Sequence, residues 1–365
     1  MPNNEKCYRK ILFIGRSAWS EHGGIQRFNR RIALALQEIS HFSEVMMLDD
    51  RSSDVPESET SRGYTSFSGN FFKFLLKFIY ECRNSKILLL GHINFLPLAI
   101  FYKILSPFGK VVLFAHGVEV WGDDRYRPAR FYEPFFLKIT VKSIAIVSRY
   151  SQKVMAEVFH LSEKKFVLFP NAIDIPENIV TRKKDGKTVL VVSRLAVTEV
   201  EKNVDKIISS LPNLRKIVPD ANINVVGDGT LRPILEKLAL DLGVFDYVRF
   251  SGFVNEAELA EAYREASIFA LPSSKEGFGI VYLEAWAKGL PVIASRYGAA
   301  PEVVSDGIDG YTVDPDDPEQ ILKSLSTLLL DDDLSLRFST AGLKKIQDLY
   351  SDKSFRIRLM EICRS

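Results

Sequence analysis

Short apolar runs alternate with longer amphipathic stretches along the whole chain, and this alternation restricts the possible folds more than any other feature. It is typical of successive β-α-β units, whose strands form a parallel sheet covered by helices. Helices are predicted between the runs, for example at Ile25–Ile39 and Tyr150–Phe159. In the first half the runs predict strands at Ile11–Ile14, Val45–Leu48, Ile87–Leu90, Val111–Phe114, Ser143–Val147 and Phe166–Phe169.

The pattern restarts after a polar, charged segment, Glu177 to Lys187, which is predicted to be a linker. We therefore predict domains at 1–178 and 179–350, with a helix in 351–365 (Ser354–Cys363) packing back toward the first domain. The fold class is α/β, with two doubly wound Rossmann-like domains facing each other across a cleft that holds the substrate. Strands of the second half are predicted at Thr188–Val192, Asn222–Val226, Tyr247–Phe250, Ile268–Ala270, Pro291–Ala294 and Gly310–Thr312.

Charge is distributed unevenly between the two halves. Residues 1–175 contain 24 Lys and Arg against 17 Asp and Glu, whereas residues 176–365 contain 24 against 29. A basic first half favours an anionic partner, such as lipid headgroups or a lipid diphosphate. Because no basic helix or repeated aromatic-basic pattern is present, the sequence disfavours nucleic acid as a partner. The segment Asp49 to Gly69, rich in polar residues, is predicted to be a mobile loop.

Several features predict a cytoplasmic protein. Cys7, Cys82 and Cys363 lack metal-ligand spacing and are typical of free thiols in a reducing compartment. The first five residues are polar and lack the apolar core of a signal peptide. The apolar stretch Ile87 to Leu105 contains polar residues that would be costly in hydrocarbon, so it predicts a strand, a turn and a short helix rather than a membrane span.

Two glutamates, Glu276 and Glu284, stand eight residues apart at a predicted change from loop to helix. At that spacing they would lie a little over two helical turns apart, on one side of the element. Gly277 and Gly279 let backbone N–H groups approach a ligand, and a helix start favours anions. The segment therefore predicts a site for sugar or ribose hydroxyls and a diphosphate, although the spacing alone also fits two solvated carboxylates.

Cations follow the first strand of the second half. Arg194 comes just after that strand, and Lys202 comes eight residues later. A guanidinium and an ammonium at one strand end can clamp a diphosphate and promote its departure. Isolated cations at such positions are usually only solvated surface charges.

Glycines mark two further turns at strand ends. Gly23-Gly24 opens the first helix and predicts an anion cradle or a plain turn. The spacing after Gly24 departs from G-x-G-x-x-G, which disfavours a nicotinamide dinucleotide. The run Gly227-Asp228-Gly229 ends another strand in a sharp turn where backbone can reach a ligand. His116 lies at a strand's carboxyl end, where a ligand contact and a packing role are both open.

In combination, these motifs resemble those of the family 4 retaining glycosyltransferases of GT-B architecture, in particular the bacterial mannosyltransferases. The resemblance covers nearly the whole chain and is strongest in the second half. One departure is that Lys202 is followed by Asn203 rather than glycine and stands further from Arg194 than in many relatives. The motifs that carry the resemblance are Gly23-Gly24, Pro170–Asp174, Ser193–Leu195 with Lys202, Gly227–Gly229, Glu276–Glu284 and Gly298–Glu302.

The resemblance implies that the second domain binds a nucleotide-sugar donor, that the first binds the acceptor, and that neither a metal nor another cofactor is needed. It also implies retention at the anomeric carbon. Arg194 and Lys202 would hold the diphosphate, Glu276 the transferred sugar, and His116 would lie near that sugar as the fourth catalytic residue. Donor-binding roles are implied for Gly24, Gly227, Asp228, Gly229, Phe278, Gly279, Ile280 and Glu284.

The function that follows is transfer of a hexose, with mannose from GDP-mannose as first choice, to a glycan or polyprenyl-diphosphate-linked oligosaccharide in cell-surface polysaccharide assembly. UDP-glucose, UDP-galactose and UDP-N-acetylglucosamine remain open as donors. A non-catalytic nucleotide-sugar-binding scaffold would be expected to lack a clamp cation or glutamate. An epimerase of the same architecture would carry a different set of acidic and histidine residues.

Two aromatic-basic clusters lie in the basic half. The first, Asn70 to Tyr80, is a predicted helix with Lys73 and Lys77 four residues apart. The second runs from Arg125 through Arg127 and Arg130 to Lys138. Such clusters suit an acceptor site or shallow docking on the anionic inner face of the cytoplasmic membrane, although aromatic residues in a helix can also belong to the core.

Overall fold

The structure is a computed structural model that describes residues 10–20, 23–40, 43–60, 63–175 and 186–364. The chain forms two compact units, of which unit 1 contains Met1–Asn171 and Asp352–Ser365, and unit 2 contains Ala172–Ser351. Most of the predicted linker, and Cys7, lie outside the described residues. Each unit is an α/β domain built on a parallel sheet, so the predicted α/β fold class is confirmed for each unit.

Unit 1 contains a seven-stranded sheet in the order β3-β2-β1-β4-β5-β6-β7, with every pair of neighbours parallel. Its central strands are buried on both faces, which is why they are continuous apolar runs rather than alternating ones. The strands are β1 Ile11–Gly15, β2 Ser43–Met47, β3 Tyr64–Ser66, β4 Ile87–Leu90, β5 Lys110–Ala115, β6 Ser143–Ile146 and β7 Phe166–Leu168.

Helices connect these strands, with short 3-10 turns at Ile93–Phe95, Val118–Val120 and Glu163–Lys165. Among the described residues of the chain, no helix is both long enough and apolar enough to cross a membrane. The helices that precede unit 2 are α1 Gly24–Ile39, α2 Glu57–Thr60, α3 Phe71–Cys82, α4 Leu96–Leu105, α5 Glu133–Thr140 and α6 Arg149–Val158.

Unit 2 contains a six-stranded parallel sheet in the order β10-β9-β8-β11-β12-β13. Its strands are β8 Thr188–Val192, β9 Asn222–Val226, β10 Val248–Gly252, β11 Ile268–Leu271, β12 Val292–Ser295 and β13 Gly310–Val313. Its helices are α7 Val204–Ile217, α8 Arg232–Asp241, α9 Glu256–Glu265, α10 Ile280–Ala287, α11 Ala300–Val303, α12 Pro318–Leu330 and α13 Asp332–Leu349, with 3-10 turns at Val197–Lys202 and Phe245–Tyr247.

The last helix, α14 (Asp352–Arg364), belongs to unit 1 although unit 2 precedes it in the chain. The ring of Phe355 is fully buried against Phe28 and Phe169, with centroids 5.5 and 4.8 Å away. An ion pair of 2.7 Å between Arg31 and Asp352 joins α14 to α1. Aromatic packing therefore secures the C-terminal helix within unit 1.

The predicted strands are all present, and their ends differ from the prediction by at most two residues. The prediction of a mobile loop from Asp49 to Gly69 is wrong, because this segment contains α2 and β3. Asp50 is fully buried there. Tyr64 is nearly as buried, and β3 pairs with β2. The buried carboxylate of Asp50 accepts hydrogen bonds from the Tyr64 hydroxyl and from neighbouring backbone N–H groups, which explains how a charged residue is buried in this ordered segment.

Candidate functional site

The predicted donor-side residues of unit 2 lie on loops that follow the neighbouring strands β9, β8 and β11. Because all strands of this sheet are parallel, their carboxyl ends meet at one edge. A fourth loop, after β12, supplies Gly298 beside them. Arg194 and Lys202 follow β8; Gly227, Asp228 and Gly229 follow β9; Glu276, Phe278 and Gly279 follow β11; Ile280 and Glu284 lie in α10.

Lys202 and Glu276 form the centre of this loop cluster. The Lys202 Nζ lies 2.7 Å from the Glu276 Oε2, and the two side chains are 22% and 13% exposed. Both side chains are therefore partly accessible to solvent, yet shielded enough that their charges interact more strongly than they would in bulk water. The fold thus pairs an ammonium and a carboxylate that lie 74 positions apart in sequence.

Asn203 joins the two loops that carry this pair. Its backbone adopts the left-handed conformation (φ 56°), a geometry that asparagine tolerates better than most residues. Its Nδ2 donates to the Pro272 carbonyl and to the Ser274 Oγ, each at 2.7 Å. The Ser274 N–H donates to the Glu201 carbonyl at 2.8 Å. The asparagine that replaces the expected glycine thus locks the loop after β8 to the loop after β11.

Gly298 holds the backbone of Glu276 from the other side. Its φ is +67°, and a Cβ there would lie 2.9 Å from the Glu276 nitrogen. The next N–H, of Ala299, donates to the Glu276 carbonyl at 2.9 Å. The loop after β12 therefore needs glycine at position 298 in order to approach Glu276 this closely.

The predicted placement of both glutamates along one helix is wrong. Helix α10 begins at Ile280, so Glu276 lies in the preceding loop and only Glu284 is helical. The Oε2 of Glu284 accepts a hydrogen bond of 3.1 Å from the Tyr263 hydroxyl. Gly279 stops the helix from starting earlier, because its φ of +89° turns the chain in the left-handed region. The Tyr282 N–H donates to the Gly279 carbonyl at 3.0 Å, whereas the N–H groups of Gly279 and Ile280 stand at the start of α10, where the predicted anion contacts would form.

Arg194 extends from the loop after β8 toward solvent, with 79% of its side chain exposed. Its guanidinium forms an ion pair with Glu199, a carboxylate that is only 6% exposed. The buried partner restricts an otherwise free side chain. Nothing in the sequence singled out Glu199, since it lies in the segment between Arg194 and Lys202 that departs from many relatives.

The glycines after β9 shape the loop that carries Arg194. Gly227 and Gly229 have φ of +129° and +150°, and a Cβ on each would lie 1.8 and 2.4 Å from the carbonyl oxygens of Ser193 and Leu195. The Leu195 N–H donates to the Asp228 carbonyl at 3.0 Å. These glycines therefore have a structural role, independent of any ligand, in bringing the two loops into backbone contact.

The predicted contact residues of unit 1 lie at the carboxyl end of its sheet. His116 directly follows β5, and its Nε2 lies 3.1 Å from the Gly91 carbonyl oxygen after β4. Because a carbonyl can only accept, this nitrogen carries the proton. The His116 N–H donates to the Glu119 carboxylate. Gly24 begins α1, and a Cβ there would meet no atom within 4 Å.

A half-buried histidine accompanies His116 in unit 1. Burial is the main cause that lowers the pKa of His92 to about 4, so its ring is neutral at pH 7. Its Nδ1 accepts from the Asn94 N–H at 3.1 Å. His92 therefore provides a hydrogen-bonding group rather than a positive charge.

Asp50 is a site-shaping residue that the sequence did not reveal. Its carboxylate accepts hydrogen bonds from the Ser17 and Tyr64 hydroxyls and from the backbone N–H groups of residues 18, 19 and 20. Burial opposes its ionisation, but these hydrogen bonds prevail and lower its pKa. Asp50 thereby fixes residues 17–20, which follow β1.

We expect Asp50→Ala to lower the free energy of unfolding by about 3 kcal/mol, because five donors lose their acceptor. Asp49→Ala is the matched control, since Asp49 forms an ion pair with Arg16, whose side chain is 57% exposed. We expect this control to cost less than about 1 kcal/mol. Urea unfolding at pH 7 measures both, and equal effects would contradict the role assigned to Asp50.

The pH dependence of that difference follows from the lowered pKa. A carboxyl whose pKa is lower in the folded state contributes stability above its unfolded pKa of about 3.9 and loses it as the pH falls through the folded value. The gap between wild type and Asp50→Ala should therefore shrink as the pH falls below about 4. A gap that stays constant down to pH 2 would contradict this account.

The cations predicted to face the acceptor or a membrane divide into two groups. Lys77 forms ion pairs with Glu44 and Glu81, and Arg127 pairs with the buried Glu133 and is itself 13% exposed. These two act within unit 1. Lys73, Arg125 and Arg130 are exposed, although Arg125 also pairs with Asp123.

Known proteins are similar to this chain in sequence and in fold. A family model described as "Glycosyl transferases group 1" matches residues 174–345, which lie in unit 2. A GDP-mannose-dependent α-(1-6)-phosphatidylinositol monomannoside mannosyltransferase of Mycolicibacterium smegmatis is 37% identical over 185 residues, 49% of this chain and 48% of that protein. The match thus spans about half of that relative's length.

A longer match extends into both units. A GDP-mannose-dependent monoacylated α-(1-6)-phosphatidylinositol monomannoside mannosyltransferase of Corynebacterium glutamicum is 30% identical over 289 residues, covering 74% of each chain. The chain belongs to the group 1 glycosyltransferases.

Solved structures carry the same fold at low sequence identity. Anabaena HepE, crystallised with UDP and glucose, superposes on this group 1 glycosyltransferase with a TM-score of 0.77 at 16% identity, over 97% of this chain and 99% of HepE. Sucrose-phosphate synthase of Thermosynechococcus elongatus gives 0.77 at 18% identity, over 98% of both chains. These likenesses establish the GT-B fold.

Proposed function

We propose that this group 1 glycosyltransferase moves a hexose, with mannose from GDP-mannose as the first choice, to a glycan or lipid-linked glycan. A polyprenyl-diphosphate-linked oligosaccharide of cell-surface polysaccharide assembly is the acceptor we favour. The observation that carries the proposal is the Lys202–Glu276 pair, with Arg194 on the same loop as Lys202. The choice of GDP-mannose is supported by the two mannosyltransferase relatives, whose names describe them as GDP-mannose-dependent.

The chemistry of the pair suits transfer from a nucleotide diphosphate. As the bond between the anomeric carbon and the diphosphate oxygen breaks, negative charge grows on the leaving phosphate. Lys202 and Arg194 would stabilise that charge, so the site would need no metal ion for this purpose. Glu276, held by Lys202 and Gly298, would accept hydrogen bonds from the hydroxyls of the transferred sugar.

Retention at the anomeric carbon requires the acceptor to attack from the side that the phosphate leaves. In the proposed front-face reaction, the acceptor oxygen forms the new bond and passes its proton to the departing phosphate oxygen. Lys202, Arg194 and Glu276 would then stabilise the charges of the transition state, and no covalent intermediate between sugar and protein would be needed. The amides of Gly279 and Ile280 would contact the diphosphate, and Glu284 the ribose hydroxyls.

A UDP-sugar is the alternative donor class. HepE has been crystallised with UDP-glucose. In the proposed site, Lys202, Arg194 and Glu276 would contact the diphosphate and the sugar, which all nucleotide diphosphate sugars contain, and would not distinguish the base. The donor class is therefore decided by experiment rather than by this cluster.

The test incubates the purified protein with radiolabelled GDP-mannose, UDP-glucose, UDP-galactose or UDP-N-acetylglucosamine and a bacterial membrane lipid extract. We expect label from GDP-mannose to enter the lipid phase. Transfer from a UDP-sugar alone would replace the donor and keep the reaction class. Nucleotide-sugar binding without transfer to any acceptor would instead favour the non-catalytic scaffold.

A further inference from the structure

Unit 1 has a broad apolar surface formed by three helices. Helix α4 packs against α3 on one side and against α5 on the other, so the three lie side by side. We call their outer surface, with the residues just before α5 and just after α4, the α3–α5 face. Its large apolar side chains, each at least 51% exposed, are Phe72, Leu76, Tyr80, Phe101, Ile104, Phe108, Phe131, Phe135 and Ile139.

Folding of unit 1 does not account for these side chains. On α3, Phe74 and Phe78 are fully buried and supply the core contact. Phe72, Leu76 and Tyr80 stand four residues apart and therefore form a separate stripe on the solvent side. A contiguous exposed apolar surface of this kind marks an interaction site in a soluble protein.

The exposed charges carried by the three helices of this face are of one sign. The carboxylates of α3 and α5 are Glu81 and Glu133, and both are buried in ion pairs, with Lys10 and Lys77 and with Arg127. Helix α4 contains no acidic residue. The exposed cations beside the apolar side chains are Lys73, Arg130, Lys138 and Lys142.

We infer that the α3–α5 face docks on the surface of an anionic phospholipid bilayer. Aromatic and aliphatic side chains would enter the headgroup region while exposed lysines contact the anionic headgroups. A second copy of this chain fits less well, because two such faces would bring like charges together. The inference goes beyond the proposed transfer reaction and does not depend on which donor is used.

This surface includes parts of both predicted aromatic-basic clusters and extends beyond them. Lys77 and Arg127, which the aromatic-basic clusters suggested, are engaged within unit 1 and cannot serve as lipid contacts without breaking their ion pairs. Phe101 and Ile104 of α4, which lay outside both clusters, instead form the middle of the face.

Vesicle flotation tests the inference with purified full-length protein and no donor. We expect wild type to float with vesicles of phosphatidylcholine and phosphatidylglycerol. The double variant Phe101→Ser and Ile104→Ser should lose at least tenfold in bound fraction. The matched control, Ile234→Ser with Leu240→Ser, changes side chains of α8 in unit 2 that are 58% and 59% exposed, and it should float as wild type does.

A charge-reversal variant measures the electrostatic contribution to vesicle binding. Lys73→Glu with Lys138→Glu should weaken flotation with the anionic vesicles, and pure phosphatidylcholine vesicles should bind wild type weakly. Circular dichroism spectra that match wild type establish that each variant is folded. Because flotation needs no nucleotide sugar, its outcome is independent of whether the proposed transfer occurs.

Any of three outcomes overturns the inference. The first is wild type that fails to float with anionic vesicles, and the second is a Phe101/Ile104 variant that floats as well as wild type. The third is a dimer of wild type, seen by light scattering, that the Phe101/Ile104 variant converts to monomer. That result would assign the face to contact between two copies of this chain.

Discussion

Glu276→Gln is expected to reduce hexosyl transfer by roughly 100-fold or more while leaving the protein folded. The substitution keeps the volume of the side chain and removes the negative charge that faces Lys202. Preorganised charges in a shielded site contribute about this much to the rate of a reaction that develops charge. Stability should fall by only about 1 kcal/mol, since the Lys202 ammonium keeps access to water.

The measurement is the rate of label transfer at saturating donor, together with the thermal midpoint. A suitable control is Glu319→Gln, which alters a carboxylate in the first turn of α12, far along the chain from these loops. The control should keep wild-type turnover. Full turnover in Glu276→Gln would remove Glu276 from the catalytic site and leave its ion pair as a structural contact.

Gly227→Ala is expected to lower the free energy of unfolding by about 3 kcal/mol or more. A Cβ at this position would lie 1.8 Å from the Ser193 carbonyl oxygen, so backbone must move. The conformation adds to the cost, because φ of +129° is unfavourable for any residue with a side chain. The displaced segment carries Arg194, so donor affinity should fall as well.

Gly243→Ala separates the two costs. Gly243 also has a positive φ, +68°, but a Cβ there would meet no atom within 4 Å. This control should cost about 1 kcal/mol, the penalty of the left-handed conformation alone. Urea unfolding measures both variants. Equal losses would contradict the conclusion that the loop after β9 and the loop after β8 are in obligatory backbone contact.

The fold was largely predictable because its signals are local. The strand Ile11–Gly15 is an uninterrupted apolar run, and such a run bounded by polar residues has few alternatives to a buried parallel strand. The strand that was missed, Tyr64–Ser66, is three residues long, lies at the sheet edge and is partly polar. Its pairing depends on β2 and on the buried Asp50, neither of which is visible in the pattern.

The candidate site was predictable residue by residue but not as an arrangement. Lys202 and Glu276 stood out through motif resemblance, whereas their 2.7 Å contact requires the fold to bring together the ends of β8 and β11. Glu199 gave no signal, and Asn203 stood out only as a departure from the expected glycine, because polar residues in a loop look alike whether they are solvated or bonded. Their roles depend on partners far away in sequence or on local backbone geometry.

Charge provided the least reliable sequence signal. Lys77 and Arg127 resembled lipid-facing cations, yet Glu81 and Glu133 neutralise them inside unit 1. A pattern of lysines and aromatic residues does not reveal which carboxylates are buried beneath it. The exposure of the apolar residues of α4 was not predicted either, because an apolar helix is ordinarily expected to be buried.

Isothermal titration calorimetry of the nucleotide sugars is the most direct test of the central claim, that unit 2 binds a nucleotide-sugar donor through the Lys202–Glu276 pair. We expect one of GDP-mannose and the UDP-sugars to bind wild type at a single site. Lys202→Ala should weaken that binding at least tenfold. Lys206→Ala, which alters a neighbouring lysine paired with Asp316, should leave it unchanged. Undiminished binding in Lys202→Ala, or no binding of any nucleotide sugar to wild type, would contradict the claim.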